Sequence, residues 1–229
     1  MADNISERLG EVREKIVQAA VASGRDPSTI TLIAVGKTFP AEVSAEAVDA
    51  GATDLGENRV QEAAAKRPHV PDARWHLIGP LQRNKARLAL ENFEVIHTID
   101  RPDIARRLEF LMDRDWPENR QQVLVEINVG RESQKAGVLP EDADGLVGQV
   151  LACDHLDVIG LMAIPPYDSD PEASRPYFQA LRELRDDLES RLAVPLPHLS
   201  MGMSHDFEIA ISEGATMVRV GTAIFGKRG

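Results

Sequence analysis

The feature that most constrains this chain is an alternation. Along its 229 residues, eight short apolar segments recur, separated by segments with helical spacing. The strand candidates are Thr31–Val35, Thr53–Gly56, Trp75–Ile78, Val95–Ile99, Gln122–Asn128, Val158–Met162, His198–Ser200 and Met217–Val220. Helix candidates lie near 41–50, 58–66, 81–91, 101–114, 140–152, 172–192 and 205–213. Strands and helices alternating at this spacing form βαβ units around a parallel sheet. Eight such units predict an α/β fold, a (β/α)8 TIM barrel, with an open doubly wound sheet as the alternative. The chain is short for a barrel, so helices and loops must be lean. Ile5, Leu9, Val12, Ile16 and Ala19 or Ala20 fall at helical spacing and predict an extra N-terminal amphipathic helix over about 4–23, ended by Gly24-Arg-Asp-Pro27. No linker or composition shift divides the sequence, so one domain over 1–229 is expected.

Composition bounds the function. Hydrophobic residues make up 43% and the formal net charge is -11. That acidity argues against binding nucleic acid or an anionic membrane, both of which need a broad basic surface. A local anion pocket needs only a few donors and stays open. Cys153 is the sole cysteine, so no intrachain disulfide is possible. The N-terminal residues carry acids and lack the apolar core of a signal peptide, and no apolar run reaches membrane-span length. A cytoplasmic protein is expected.

In a barrel the active face is built from the C-terminal ends of the strands. Lys37 follows the apolar run Thr31-Leu-Ile-Ala-Val-Gly, and Thr38-Phe-Pro40 stops the strand behind it. Alternation puts Lys37 on the side of Ile33 and Val35. Two readings stand at this point. The amine snorkels into water, or its charge is suppressed and it serves as a nucleophile toward a carbonyl. Arg219, inside Met217-Val-Arg-Val220, is the other charge in an apolar strand. It cannot lose its proton and needs an acceptor, either a carboxylate such as Glu57 or Asp100 or a ligand atom. Ser204 fits the N-cap of the helix near 205–213. Gly221-Thr222 opens a short final helix, where glycine allows close approach and free N–H groups suit a phosphate.

Other motifs fail. Gly36-Lys-Thr38 resembles the end of a phosphate-binding P-loop, but position 31 is threonine where that motif needs glycine. The six histidines show no metal-ligand spacing, and His76 reads as a satisfied core or rim histidine. A reactive lysine, a phosphate cradle and a fixed arginine on one barrel face describe a pocket for a phosphorylated aldehyde, and pyridoxal 5'-phosphate (PLP) is the common cofactor with those parts.

Longer motifs carry a resemblance. Ala34-Val-Gly-Lys-Thr-Phe-Pro40, Gly56-Glu-Asn-Arg-Val-Gln-Glu62, Trp75-His-Leu-Ile-Gly-Pro-Leu-Gln-Arg-Asn-Lys85, Lys135-Ala-Gly137, Gly160-Leu-Met162, Leu199-Ser-Met-Gly-Met-Ser204 and Val218-Arg-Val-Gly-Thr-Ala-Ile-Phe-Gly226 span nearly the whole chain. Together they resemble the pyridoxal phosphate homeostasis protein (YggS/PROSC) family, a fold-type III barrel like the N-terminal domain of alanine racemase. The resemblance implies that Lys37 carries PLP as a Schiff base. It implies that Ser204, Gly221 and Thr222 hold the phosphate, that Arg219 meets the pyridine nitrogen, and that Asn58 lines the ring near its phenolic oxygen. Gly36, Phe39 and Arg59 depart from the family's common serine, basic residue and tyrosine, which touches the pocket rim alone.

The resemblance also bears on chemistry. A fixed cation at the ring nitrogen disfavours its protonation, which makes the ring a poorer electron sink. Alanine racemase adds a tyrosine base from a second domain. This chain has two tyrosines, Tyr167 and Tyr177, in or near the loop after the sixth strand, and no evident second base. A PLP carrier or regulator without clear turnover is therefore expected, with apo PLP-dependent enzymes as candidate recipients and a monomer as the default state. The alternatives are a weak PLP-dependent amino-acid racemase or lyase, and a Schiff-base aldolase acting on a phosphosugar.

Overall fold

The structure is a computed structural model that describes residues 4–70 and 72–226. After helix α1 (Ile5–Ala22), strands and helices alternate: β1 (Thr31–Val35), α2 (Ala41–Asp49), β2 (Asp54–Glu57), α3 (Val60–Lys66), β3 (Arg74–Leu77), α4 (Ala86–Asn92), β4 (Val95–Ile99), α5 (Pro102–Asp115) and β5 (Gln121–Ile127). They continue with α6 (Ala143–Leu151), β6 (Leu156–Ala163), α7 (Arg175–Leu192), β7 (His198–Met203), α8 (Phe207–Ser212), β8 (Met217–Val220) and the one-turn α9 (Thr222–Phe225). The eight strands are parallel and close into a barrel in sequence order. Closure runs through β1 and β8, from Thr31 opposite Met217 to Ala34 opposite Val220. The open doubly wound alternative is thereby excluded.

Period-two alternation divides the apolar residues into two layers. Outward side chains such as Ala34, Leu55, Trp75, Leu77, Val123, Leu199 and Val218 pack under the helices. Inward ones, Ile33, Val35, Ile78, Val95, Leu124, Ile159, Met162 and Met217, fill the barrel. Gly56 belongs to the inner layer, and a Cβ there would lie 2.9 Å from Ile33 Cγ2. Helix α1 is N-capped by Asn4, whose Oδ1 accepts from Glu7 N at 2.9 Å. It buries Ile5, Leu9, Val12, Ile16 and Ala20 against α8 and α9. Each large side chain contributes about 2 kcal/mol as an upper estimate. Arg8 Nε donates to Ile224 O at 2.6 Å and ties α1 to α9.

Several boundaries depart from the periodicity. The helix expected from 58 begins at Val60, because Asn58 and Arg59 stay in the loop and Arg59 is extended. The segment from 81 opens with a tight turn at Arg83–Lys85 before α4. Strand β7 runs three residues beyond Ser200, with a register irregularity between Ser200 and Met203. Gly202 makes that possible: its φ is +91°, and a Cβ would stand 2.5 Å from Ala210 Cβ. No described helix is long and apolar enough to cross a membrane.

Candidate functional site

A cavity of about 460 Å3 opens at the C-terminal end of the barrel. Lys37, Asn58, Ser204, Arg219, Gly221 and Thr222 all line it, so the structure brings together every site residue expected from the sequence. The volume lies within the usual range for small-molecule sites.

Lys37 follows β1 in a turn and is half-buried. The next residue, Thr38, has φ +70°, an uncommon conformation for a β-branched residue that stores local strain. Lys66, buried in α3, holds this turn by donating to Gly36 O at 2.9 Å while pairing with Glu57. Burial raises the Glu57 carboxyl above its ordinary range, against the pull of Lys66. Among the described residues no carboxylate pairs with the Lys37 amine.

Arg219 is almost fully buried. Its Nη1 donates to Ser200 Oγ at 2.6 Å and Nη2 to Ala163 O at 3.0 Å. Neither carboxylate weighed from the sequence is its partner, since Glu57 pairs with Lys66 and Asp100 with Arg101 at 2.7 Å. Burial lowers the guanidinium to about 10, opposed by the nearby Glu126 and Asp206 carboxylates. A guanidinium has five N–H donors, so two bonds to protein acceptors leave capacity for a ligand.

Ser204 does not cap the helix near 205–213. That helix starts at Phe207 behind Asp206, whose Oδ1 accepts from Met203 N at 2.7 Å. Ser204 Oγ turns instead to the other end of the motif, accepting from Gly221 N at 3.1 Å and Ala223 N at 3.4 Å. It joins the β7 loop to the start of α9, where the Thr222 N–H has no intrahelical acceptor. A Cβ at Gly221 would lie 3.3 Å from Val35 O, so glycine keeps this cradle open.

Sequence reasoning missed Glu126. It points inward from β5, is buried and lines the cavity, and its Oε2 has no hydrogen-bond partner among the described residues. Burial, reinforced by Asp100 and opposed by Arg219, pushes its carboxyl up to about 7. The signal was present: an acid alternating with Leu124 in Val123-Leu-Val-Glu-Ile127 is as costly as Arg219 in its strand. Lys135, Tyr167 and His205 complete the mouth, where Tyr167 is largely exposed. His76 is fully buried and hydrogen-bonded, a satisfied core histidine as expected, and no cluster of metal-ligating side chains occurs among the described residues.

Comparison with known proteins follows the same lines. Residues 12–229 match the family described as alanine racemase, N-terminal domain. The pyridoxal phosphate homeostasis protein of Aquifex aeolicus is 46% identical over 98% of this chain and 99% of its own length. That of Escherichia coli K12 is 44% identical over 99% and 97%. Among solved structures, PipY of Synechococcus elongatus with PLP bound superposes with a TM-score of 0.84 at 35% identity, covering 97% of this chain and all of PipY. An alanine racemase of Clostridium difficile shares the fold at a TM-score of 0.77 and 16% identity, with 60% of its length covered. Near-complete coverage at such identities, on a barrel of the racemase type, shows that the chain belongs to the pyridoxal phosphate homeostasis protein family.

Proposed function

We propose that the chain binds PLP reversibly in the cavity at the C-terminal end of its barrel and acts as a PLP carrier or regulator. The observation that carries this is the convergence of an amine, a buried guanidinium and a Ser204–Gly221–Thr222 cradle on one cavity of fitting size. The donor set matches the group. The lysine amine suits the aldehyde, the hydroxyl and helix-start N–H groups suit the phosphate, and the guanidinium suits a ring nitrogen that accepts. Lys37 is the tether, through a Schiff base. Ser204, Gly221 and Thr222 hold the phosphate, Arg219 faces the ring nitrogen, and Asn58 lies beside the ring. Bound PLP supplies an electrophilic aldehyde and an electron-withdrawing ring. The relatives named for PLP homeostasis and the PLP-bound PipY structure support this reading.

The whole chain acts as one PLP-binding barrel, a cytoplasmic monomer with apo PLP-dependent enzymes as recipients. Tyr167, exposed on the cavity, favours a second reading, weak racemase or lyase activity toward amino acids. Amino-acid turnover by PLP-loaded protein that disappears in Lys37→Ala would favour it.

Borohydride reduction of the PLP-loaded protein, followed by peptide mass spectrometry, tests the assignment. A pyridoxyl label on Lys37 is expected. A label on Lys135, the other lysine lining the cavity, would overturn it.

A further inference from the structure

Beneath Arg219, an unbroken chain of hydrogen bonds crosses the barrel interior. Arg219 Nη1 lies 2.6 Å from Ser200 Oγ. Ser200 Oγ lies 2.9 Å from His97 Nδ1. His97 Nε2 lies 2.9 Å from His76 Nδ1, and His76 Nε2 lies 2.9 Å from Asp54 Oδ1. Ser200, His76 and His97 have no exposed surface, and Arg219 is nearly as buried. Asp54 sits at the first residue of β2, where it lines a separate cavity of about 390 Å3 with Arg13 and Thr53. The chain of bonds therefore joins the two ends of the barrel.

The chemistry of its ends sets its direction. A guanidinium can only donate, so Ser200 Oγ accepts from Arg219. An ionised carboxylate can only accept, so His76 Nε2 carries a hydrogen toward Asp54. Neutral His76 then has a bare Nδ1, which must accept from His97 Nε2–H. Neutral His97 in turn has a bare Nδ1, which accepts the single hydroxyl hydrogen of Ser200. Every link is satisfied in one sense, from Arg219 to Asp54. The reverse sense would set the lone pair of His76 Nε2 against a carboxylate and leave the Ser200 hydrogen without this acceptor.

The surroundings agree with neutral imidazoles. Burial lowers both histidines, His97 well below the ordinary range, and His76 is lowered despite the opposing Asp54. Burial would raise Asp54, but hydrogen bonds from His76 and Thr53 prevail and keep it below the usual carboxylate range. The charged or titratable groups facing the pair are Asp54, Arg74, Glu94, His198 and Arg219.

We propose that Ser200, His97, His76 and Asp54 are positioning residues for Arg219, joined in a one-way hydrogen-bond chain that fixes the guanidinium. No carboxylate hydrogen-bonds Arg219 directly among the described residues, which keeps its remaining donors free for the cavity. The functional half of this inference rests on the reading of Arg219 as the cation facing the PLP ring. The structural half does not.

Nitrogen-15 NMR of the ligand-free protein at pH 7 tests the chain itself. Both His76 and His97 are expected to be neutral, with hydrogen on Nε2 and a bare Nδ1. A protonated Nδ1 on either ring overturns the inferred direction. The PLP-loaded protein tests the consequence. Ser200→Ala removes the link to Arg219, and it should displace the PLP absorption band and weaken PLP binding about tenfold. Ser200→Thr, which keeps the hydroxyl, should restore both. A Ser200→Ala protein with unchanged band and affinity overturns the positioning role. Wild-type protein that takes up no PLP would remove the proposed function, while the nitrogen spectra would still judge the chain. Those spectra need no variant, so a poorly folding Ser200→Ala protein does not shield the inference.

Discussion

Lys66 and Glu57 form a buried ion pair whose lysine also donates to the carbonyl of Gly36, the residue before Lys37. The pair fastens the end of β1 to the end of β2 and to α3. Breaking a buried pair from one side strands a charge, which costs about 3–5 kcal/mol.

Lys66→Met should therefore lower the stability of the ligand-free protein by about 3–5 kcal/mol at pH 8. Part of that loss should return on acidification. Glu57 is already raised by burial, and loss of the ammonium raises it further. A carboxyl with a raised folded-state value contributes most below its unfolded value, and the contribution disappears as pH rises through the folded one. The double variant Glu57→Gln/Lys66→Met should recover stability at pH 8. Denaturant titrations showing equal loss at pH 5 and pH 8 would refute this account.

Glu126 gives a second pH dependence with the same sign. Its carboxyl is pushed up to about 7, so the folded protein holds its proton where the unfolded chain has released it. Stability from this group is complete below about 4.5 and falls by roughly 3 kcal/mol as pH rises to about 7. Glu126→Gln mimics the neutral form and should flatten that slope, leaving the variant more stable than wild type at pH 8. Parallel stability profiles for the two proteins between pH 5 and 8 would contradict it.

Two glycines beside the cavity should respond differently to alanine. At Gly79 a Cβ would stand 2.3 Å from Asn58 O and 2.8 Å from Asn58 Cα, both backbone. Gly79→Ala must displace the Asn58 loop, at about 1–3 kcal/mol or more. At Gly221, φ is -113° and the nearest atom is Val35 O at 3.3 Å. Gly221→Ala should leave the melting temperature within a few degrees of wild type while weakening PLP binding. Thermal melts paired with PLP titration separate the two, and a Gly221→Ala protein destabilised as much as Gly79→Ala would count against this contrast.

Ser204→Ala removes the shared acceptor of Gly221 N and Ala223 N. Loss of such a helix-start acceptor costs about 1 kcal/mol. The variant should also bind PLP more weakly than it binds pyridoxal, which lacks the phosphate, when each affinity is expressed relative to wild type. Equal relative losses for both ligands would show that Ser204 supports the loop without serving the phosphate.

The architecture was legible because it is written in local periodicity. β1, β4 and β8 fall on their expected residues, and the remaining strands agree to within three residues at either end. Lys37 and Arg219 were legible for the opposite reason, as charges that violate an apolar pattern. Glu126 breaks the pattern in the same way and could have been read with them. Two of the boundary differences arise where backbone geometry overrides periodicity, at the extended Arg59 and at the left-handed Gly202.

What the sequence by itself determined is the order and facing of the elements, since side-chain alternation and helical spacing are properties of neighbouring residues. Only the tertiary structure decided which polar groups meet. Ser204 accepts from Gly221 and Ala223 across 17 and 19 residues, and His97 reaches Ser200 across 103. Such distances along the chain carry no periodic signal. They follow from barrel closure, which sets inward-facing residues of different strands side by side where water cannot satisfy them, so that each buried donor and acceptor must find its partner within the protein.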